Sequence, residues 1–144
     1  MTHVGYVNKE KHAAKAAELL EKERNGYIQL ACDALMGGTA YEDTREQLAR
    51  RIKRQMKTKL FNYLQRSGII CTEHRRYCDG SGLCQTYHRD PEINDVPSYL
   101  LNIEKILPNF TEIIESIMVE AGKLKVIVEI EAATKDAQNI GERV

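Results

Sequence analysis

The sequence predicts a small, mainly α-helical domain in which one loop separates a central helix from the helices that follow it. Apolar residues recur at helical spacing in four stretches of the 144-residue chain. Between them, Gly37-Gly38, Ser67-Gly68 and Pro108 mark the places where helices are expected to end. A chain of this length is expected to form one domain over residues 1–144, with a modest core.

The first expected element is a helical arm at residues 1–38. Residues 9–24 are rich in Ala, Leu, Glu and Lys, which favour helix. Asn25-Gly26 predicts a break or kink, and Gly37-Gly38 predicts the end of the arm. We interpret His12 as a solvated helix residue and not a ligand.

The second expected element is a basic helix at residues 43–67. Asp43 is a suitable first residue, and Glu46 three positions on completes a capping box. A narrow core-facing stripe follows at steps of four residues: Leu48, Ile52, Met56, Leu60 and Leu64.

Residues 71–88 form a loop that is dense in metal-binding residue types, spaced C-x2-H-x3-C-x5-C-x3-H. Its five candidate ligands are Cys71, His74, Cys78, Cys84 and His88. Zinc prefers thiolate and imidazole, and a structural site needs four of them. We therefore predict one structural Zn²⁺ held by the three cysteines and His74, with His88 as the alternative fourth ligand. Reduced surface thiols without a metal are the competing interpretation.

Helices are again expected at residues 97–140. Pro97 suits a first helical turn, and the helix it starts should run to Leu107. Asn109 should cap the next helix, with Glu112 at the third position. Within that helix, residues 125–131 read K-V-I-V-E-I-E, an alternation that leaves a strand possible. Gly141 should mark the end of the ordered helical region.

Charge divides the chain, although 21 basic residues balance 21 acidic ones overall. Residues 45–76 hold ten Lys or Arg against two acidic residues, a local net charge of +8. Residues 90–144 carry five basic and eleven acidic residues, a net charge of −6. A basic helix beside a zinc loop is typical of proteins that bind the phosphate backbone. The predicted DNA-binding residues are Arg45, Arg50, Arg51, Arg54, Lys57, Arg75 and Arg76. A solvated face, or one that neutralises the acidic half, is the alternative.

Several function classes are not expected. No apolar run is long enough for a membrane span, and the N-terminus does not resemble a signal peptide, which predicts a cytoplasmic protein. No nucleophile elbow, phosphate-binding loop or H-E-x-x-H helix occurs, so we expect no enzymatic activity. Glu73 beside His74 is the one arrangement that leaves a zinc hydrolase open, but it does not match a deaminase signature.

Three motifs carry a resemblance to a known family. Residues 78–82, C-D-G-S-G, resemble half of the C-x-x-C-x-G-x-G knuckle found in DnaJ-type chaperones and in the Q-type antitermination proteins of lambdoid phages. Phe61 with Arg66-Ser67 resembles the F-x-x-x-x-R-S run that precedes the zinc region of the Q-type proteins. Residues 106–111, I-L-P-N-F-T, resemble the L-[IV]-P-[ND]-L-T that opens a late helix there. The order of these features is similar over roughly residues 45–140.

The pattern departs from that family at Arg75, which stands in place of the first knuckle cysteine, so Cys71 or His74 must substitute. The second knuckle is reduced to Cys84 and His88. The resemblance implies a regulator in a bacterial host cell that binds duplex DNA near a late promoter and loads onto RNA polymerase, which then ignores terminators. The competing class is a small phage or plasmid protein that inhibits another host protein without contacting DNA.

Overall fold

The computed structural model describes residues 8–67, 70–71, 76–77 and 98–142, with side chains at 8–67 and 98–137. It confirms a mainly α-helical protein. In chain order, the elements are α1 (Lys9–Met36), α2 (Tyr41–Arg66), β1 (Ile70–Cys71), β2 (Arg76–Tyr77), a 3-10 turn (Ser98–Leu100), α3 (Ile103–Ile106) and α4 (Phe110–Glu142). Within the described residues, no helix is both long and apolar enough to cross a bilayer.

Helix α1 is continuous through Asn25-Gly26, so the predicted break is wrong. Helix formers flank this pair on both sides, and extending an existing helix costs far less than starting a new one. The predicted end at Gly37-Gly38 is confirmed. Gly38 has a φ of 87°, and its amide bonds the Leu35 carbonyl oxygen at 3.2 Å. The Thr39 amide bonds the Ala34 carbonyl oxygen at 3.1 Å, which completes a Schellman motif.

Helix α2 begins at Tyr41, two residues before the predicted start at Asp43. Glu42 and Asp43 thus lie in its first turn, where negative charge is favourable. The predicted core stripe is confirmed, because all five of its side chains are fully buried. The helix ends at Arg66, as Ser67-Gly68 predicted.

The single helix predicted from Pro97 to Leu107 is wrong. The chain instead forms the 3-10 turn and then the separate four-residue helix α3. Asn102 causes the division, because its side chain accepts a hydrogen bond from the Glu104 amide at 3.0 Å and caps α3.

Helix α4 starts at Phe110, directly after Asn109, as predicted. It runs through residues 125–131, so the alternative of a strand there is wrong. Lys125 and Glu129 form an ion pair at 2.6 Å, four residues apart, which is a spacing that supports helix. Helix α4 ends at Glu142, one residue after the predicted end at Gly141, and a difference of one residue is within the precision of helix bounds.

The chain forms two compact units. The first comprises Met1–Lys22 with Arg50–Phe110, and the second comprises Glu23–Ala49 with Thr111–Val144. Buried apolar side chains of the first unit are Ala16, Leu20, Ile52, Met56, Leu60, Leu64, Leu100, Leu101, Ile103, Leu107 and Phe110. Those of the second unit are Tyr27, Ala31, Cys32, Leu48, Ile114, Ile117, Met118 and Ala121.

Candidate nucleic-acid interface

The first unit presents four exposed cations on one side of α2. These residues, the basic face, are Arg50, Arg51, Arg54 and Lys57. Ile52 and Met56 of the same turns are fully buried on the opposite side. The face follows from helical spacing, since residues three and four apart stack on one side of a helix. It is the part of the predicted DNA-binding set that the structure brings together.

No carboxylate of the described residues pairs with any of the four cations. The sequence explains this locally, because no acidic residue occurs between Glu46 and Glu73. Lys53 differs: it forms an ion pair with Glu104, and its Nζ lies 5.9 Å from the centroid of the Phe110 ring. Among the described residues, the basic face therefore has no ion-pair partner, whereas Lys53 is held by contacts within its own unit.

Arg45 lies in the second unit and is engaged there. Its Nε pairs with one carboxylate oxygen of Glu115, and the Tyr41 hydroxyl donates to the other at 3.0 Å. The Arg45 hydrogen bond holds the pKa of Glu115 below its ordinary value, and the bond from Tyr41 acts in the same direction. Because its guanidinium already has a partner, we leave Arg45 out of the candidate interface.

His12 is 4% exposed, so its interpretation as a solvated residue is wrong. Its ring stacks on Tyr63 with the centroids 5.9 Å apart, and Lys15 Nζ lies 5.7 Å from the centroid of the same Tyr63 ring. Cations are attracted to an aromatic face at such distances. The sequence did contain a signal, because His12, Ala16 and Leu20 recur at steps of four and all three are buried.

A cavity of about 300 Å³ in the first unit also went unpredicted. It is lined by Lys9, His12, Tyr99, Leu100, Lys105 and Ile106. The two lysines add positive charge to this unit, and no acidic side chain lines the cavity.

Of the predicted metal loop at residues 71–88, the structure describes Cys71, Arg76 and Tyr77. Cys71 lies in β1 and pairs with Arg76 of β2, in an antiparallel hairpin that also pairs Ile70 with Tyr77. The other predicted ligands and one predicted DNA contact lie outside the described residues: His74, Cys78, Cys84, His88 and Arg75. Within the described part of the chain, no group of three or more metal-binding side chains occurs.

No family model, no curated protein and no solved structure matches this chain. The chemistry of the site must therefore be argued from its residues. An arginine-rich helical face without carboxylates can bind oxyanions, and guanidinium groups can hold phosphate oxygens in a bidentate fashion.

Proposed function

We propose that the protein is a zinc-containing transcription regulator that binds duplex DNA through the basic face of α2. The observation that carries the proposal is the set of four exposed cations without a carboxylate partner in the described part of the chain. A merely solvated helix face usually interleaves acidic and basic residues. This one has no acidic residue from Gln47 to Arg66, which is more than five turns of α2.

The basic face suits a phosphate backbone in its dimensions as well as its charge. Arg50, Arg54 and Lys57 lie along about 10 Å of helix axis, because each residue of a helix rises 1.5 Å. Duplex DNA carries one negative charge for every ~1.7 Å of its axis, so several phosphates come within reach. Such contacts release counterions and position the protein, while base contacts would determine its site.

The zinc part of the proposal rests on the candidate ligands and on the size of the hairpin. Strands β1 and β2 have two residues each. A two-stranded hairpin is marginally stable in water by itself, so one this short needs additional support. Zinc held by Cys71, Cys78, Cys84 and either His74 or His88 would supply it, since the binding energy of a structural metal becomes folding energy. Arg75 and Arg76 would then be carried by the same hairpin as the metal.

RNA polymerase is the proposed protein partner, and antitermination is the proposed outcome. The support is the resemblance of the 61–67, 78–82 and 106–111 motifs to the Q-type proteins. Residues 90–144 carry a net charge of −6, opposite to that of the basic face, which suits a protein partner better than DNA.

A binding titration with duplex DNA, from about 50 to 300 mM salt, tests the proposal. The wild-type protein should bind at low salt and lose affinity steeply as salt rises. Replacing Arg50 and Arg54 with alanine should make the slope of log K against log salt concentration less negative by about two, because each lost phosphate contact contributes about one.

The matched control replaces Lys11 and Lys22 with alanine. Both lysines are exposed residues of α1, and the control also removes two positive charges from the first unit. It should leave the salt dependence unchanged. If the wild-type protein does not bind duplex DNA at about 50 mM salt, the DNA role is wrong. Capture of a host protein other than polymerase from a bacterial lysate would then favour the inhibitor class.

A further inference from the structure

Helix α4 exposes a row of large apolar side chains. Val119, Val126, Ile127 and Ile130 are 52%, 53%, 51% and 60% exposed, respectively. Apolar residues exposed singly are ordinary, whereas large apolar patches on a protein surface mark interaction sites. The row is a second apolar stripe, because the same helix buries Ile114 and Ala121 on another side within the second unit.

The spacing of this second stripe identifies the kind of surface that fits it. Steps of four and three residues alternate along α4 through six exposed positions, which we name the α4 seam: Val119, Lys123, Val126, Ile130, Ala133 and Ala137. This is the 3.5-residue repeat of a coiled coil, in which each seam residue inserts between side chains of a facing helix. The complementary surface is therefore another helix with the same repeat.

We propose that the α4 seam pairs with the α4 seam of a second copy of this chain, in antiparallel orientation about a two-fold axis that passes midway between Val126 and Ile130. This register uses all six positions. Ile130 faces Val126 of the other copy, Ala137 faces Val119, and Lys123 faces Ala133. Two-fold pairing of one surface with itself is the commonest way in which proteins associate.

Lys123 decides between the two possible orientations. A parallel pair in register would place Lys123 against Lys123 in the centre of the seam, where like charges repel. The antiparallel pair places each Lys123 beside the smaller Ala133. It also brings the ammonium group, which pairs with Glu120 of its own helix at 3.4 Å, within about one helical turn of Asp136 of the other copy. A lysine at one seam position commonly sets register and orientation at some loss of stability.

The inference concerns α4 alone and does not depend on DNA binding or zinc. Sedimentation equilibrium of the full chain, from about 1 µM to 1 mM, spans the dissociation constants expected for so short an interface. The 16.4 kDa chain should approach twice that mass as concentration rises. Ile130→Glu should weaken association at least tenfold. Ala132→Glu adds the same charge at an exposed position outside the seam and should not.

Two further variants test register and orientation. Lys123→Leu should tighten association at least tenfold, because it removes the charged residue from the seam. A photo-crosslinking residue at Val119 should capture positions around Ala137 of the other copy. A chain that stays at 16.4 kDa throughout, or crosslinks from Val119 to Val119, overturns the proposal. Equal effects of Ile130→Glu and Ala132→Glu would overturn it as well.

Discussion

The His12 imidazole donates a hydrogen bond from Nε2 to the carbonyl oxygen of Leu100, at 2.8 Å, between residues 88 positions apart in the chain. A carbonyl oxygen only accepts, so the hydrogen must be on Nε2. The other ring nitrogen, Nδ1, is buried without a partner among the described residues. This bond joins the first turns of α1 to the 3-10 turn inside the first unit.

Replacing His12 separates the hydrogen bond from the ring packing. His12→Phe keeps a ring to stack on Tyr63 but leaves the Leu100 carbonyl without its donor, and should lower the unfolding free energy by about 1–3 kcal/mol. His12→Gln retains a donor in the Nε2 position and should lower the unfolding free energy by a smaller amount. Urea unfolding of both variants checks this order, and a larger loss for glutamine would contradict the assigned role of the bond.

Truncation of a side chain should lower stability on the buried side of α2 but not on its exposed side. Met56 is fully buried, so Met56→Ala should cost about 2–5 kcal/mol through lost burial and a new cavity. Arg54 is exposed on the basic face, and Arg54→Ala should change stability by less than about 0.5 kcal/mol. Thermal and urea unfolding measure both. A large destabilisation by Arg54→Ala would mean that the basic face supports the fold itself.

The ion pair of Glu115 with Arg45 predicts a dependence of stability on pH. Because the folded-state pKa of Glu115 is lowered, the pair stabilises the fold above the unfolded-state value of about 4.3. This contribution is lost as pH falls through the lower folded-state pKa. Glu115→Gln should therefore lose less stability than the wild type between neutral and strongly acidic pH.

The size of this pH effect should be modest, below about 1 kcal/mol, because the two side chains are 42% and 38% exposed. Glu112→Gln, at an exposed glutamate of the same helix without an ion pair among the described residues, is the matched control. It should keep the acid response of the wild type. Parallel curves for wild type and Glu115→Gln would show that the ion pair contributes nothing measurable.

Thiol reactivity tests the zinc site and the buried cysteine together. Cys32 is fully buried, and burial raises the pKa of its thiol, so it should react only after unfolding. In zinc-loaded protein, none of the four thiols should react quickly with a chromogenic disulfide reagent. Chelation should expose three of them, Cys71, Cys78 and Cys84, and should lower the melting temperature. Three fast thiols before chelation, or less than one zinc per chain by elemental analysis, would contradict the site.

Local sequence patterns predicted those features that depend on neighbours along a helix. The stripe from Leu48 to Leu64 is such a feature, because a buried helix face repeats every three to four residues. The side-chain cap at Asn102 was missed, although asparagine is a favoured capping residue, because the apolar residues on both sides read as one continuous helix. The alternation at residues 125–131 left a strand possible, but the expected helix forms there, because a short pattern cannot outweigh the long helix that it continues.

Contacts between distant residues were beyond such reasoning. Arg45 looked like part of one basic run, yet its partner Glu115 is 70 residues away in sequence. His12 likewise meets Leu100 only in the folded first unit. The basic face itself was predictable, since the absence of carboxylates between Glu46 and Glu73 is a local property. The sequence could not predict which basic residues of α2 would form ion pairs with distant parts of the chain.

The length of α4 has a consequence for its motions. Its 33 residues extend about 50 Å, but no side chain between residues 122 and 137 is buried. Leu124, Lys125 and Val128 are still half-buried, whereas every residue from Glu129 to Ala137 is exposed, so these outer turns depend for their order on the packed part of the helix. Backbone amides should therefore exchange with solvent faster at each successive turn beyond Val128. The packed first turns of α4 then stay helical, while its outer turns unfold and refold locally unless another helix packs against them.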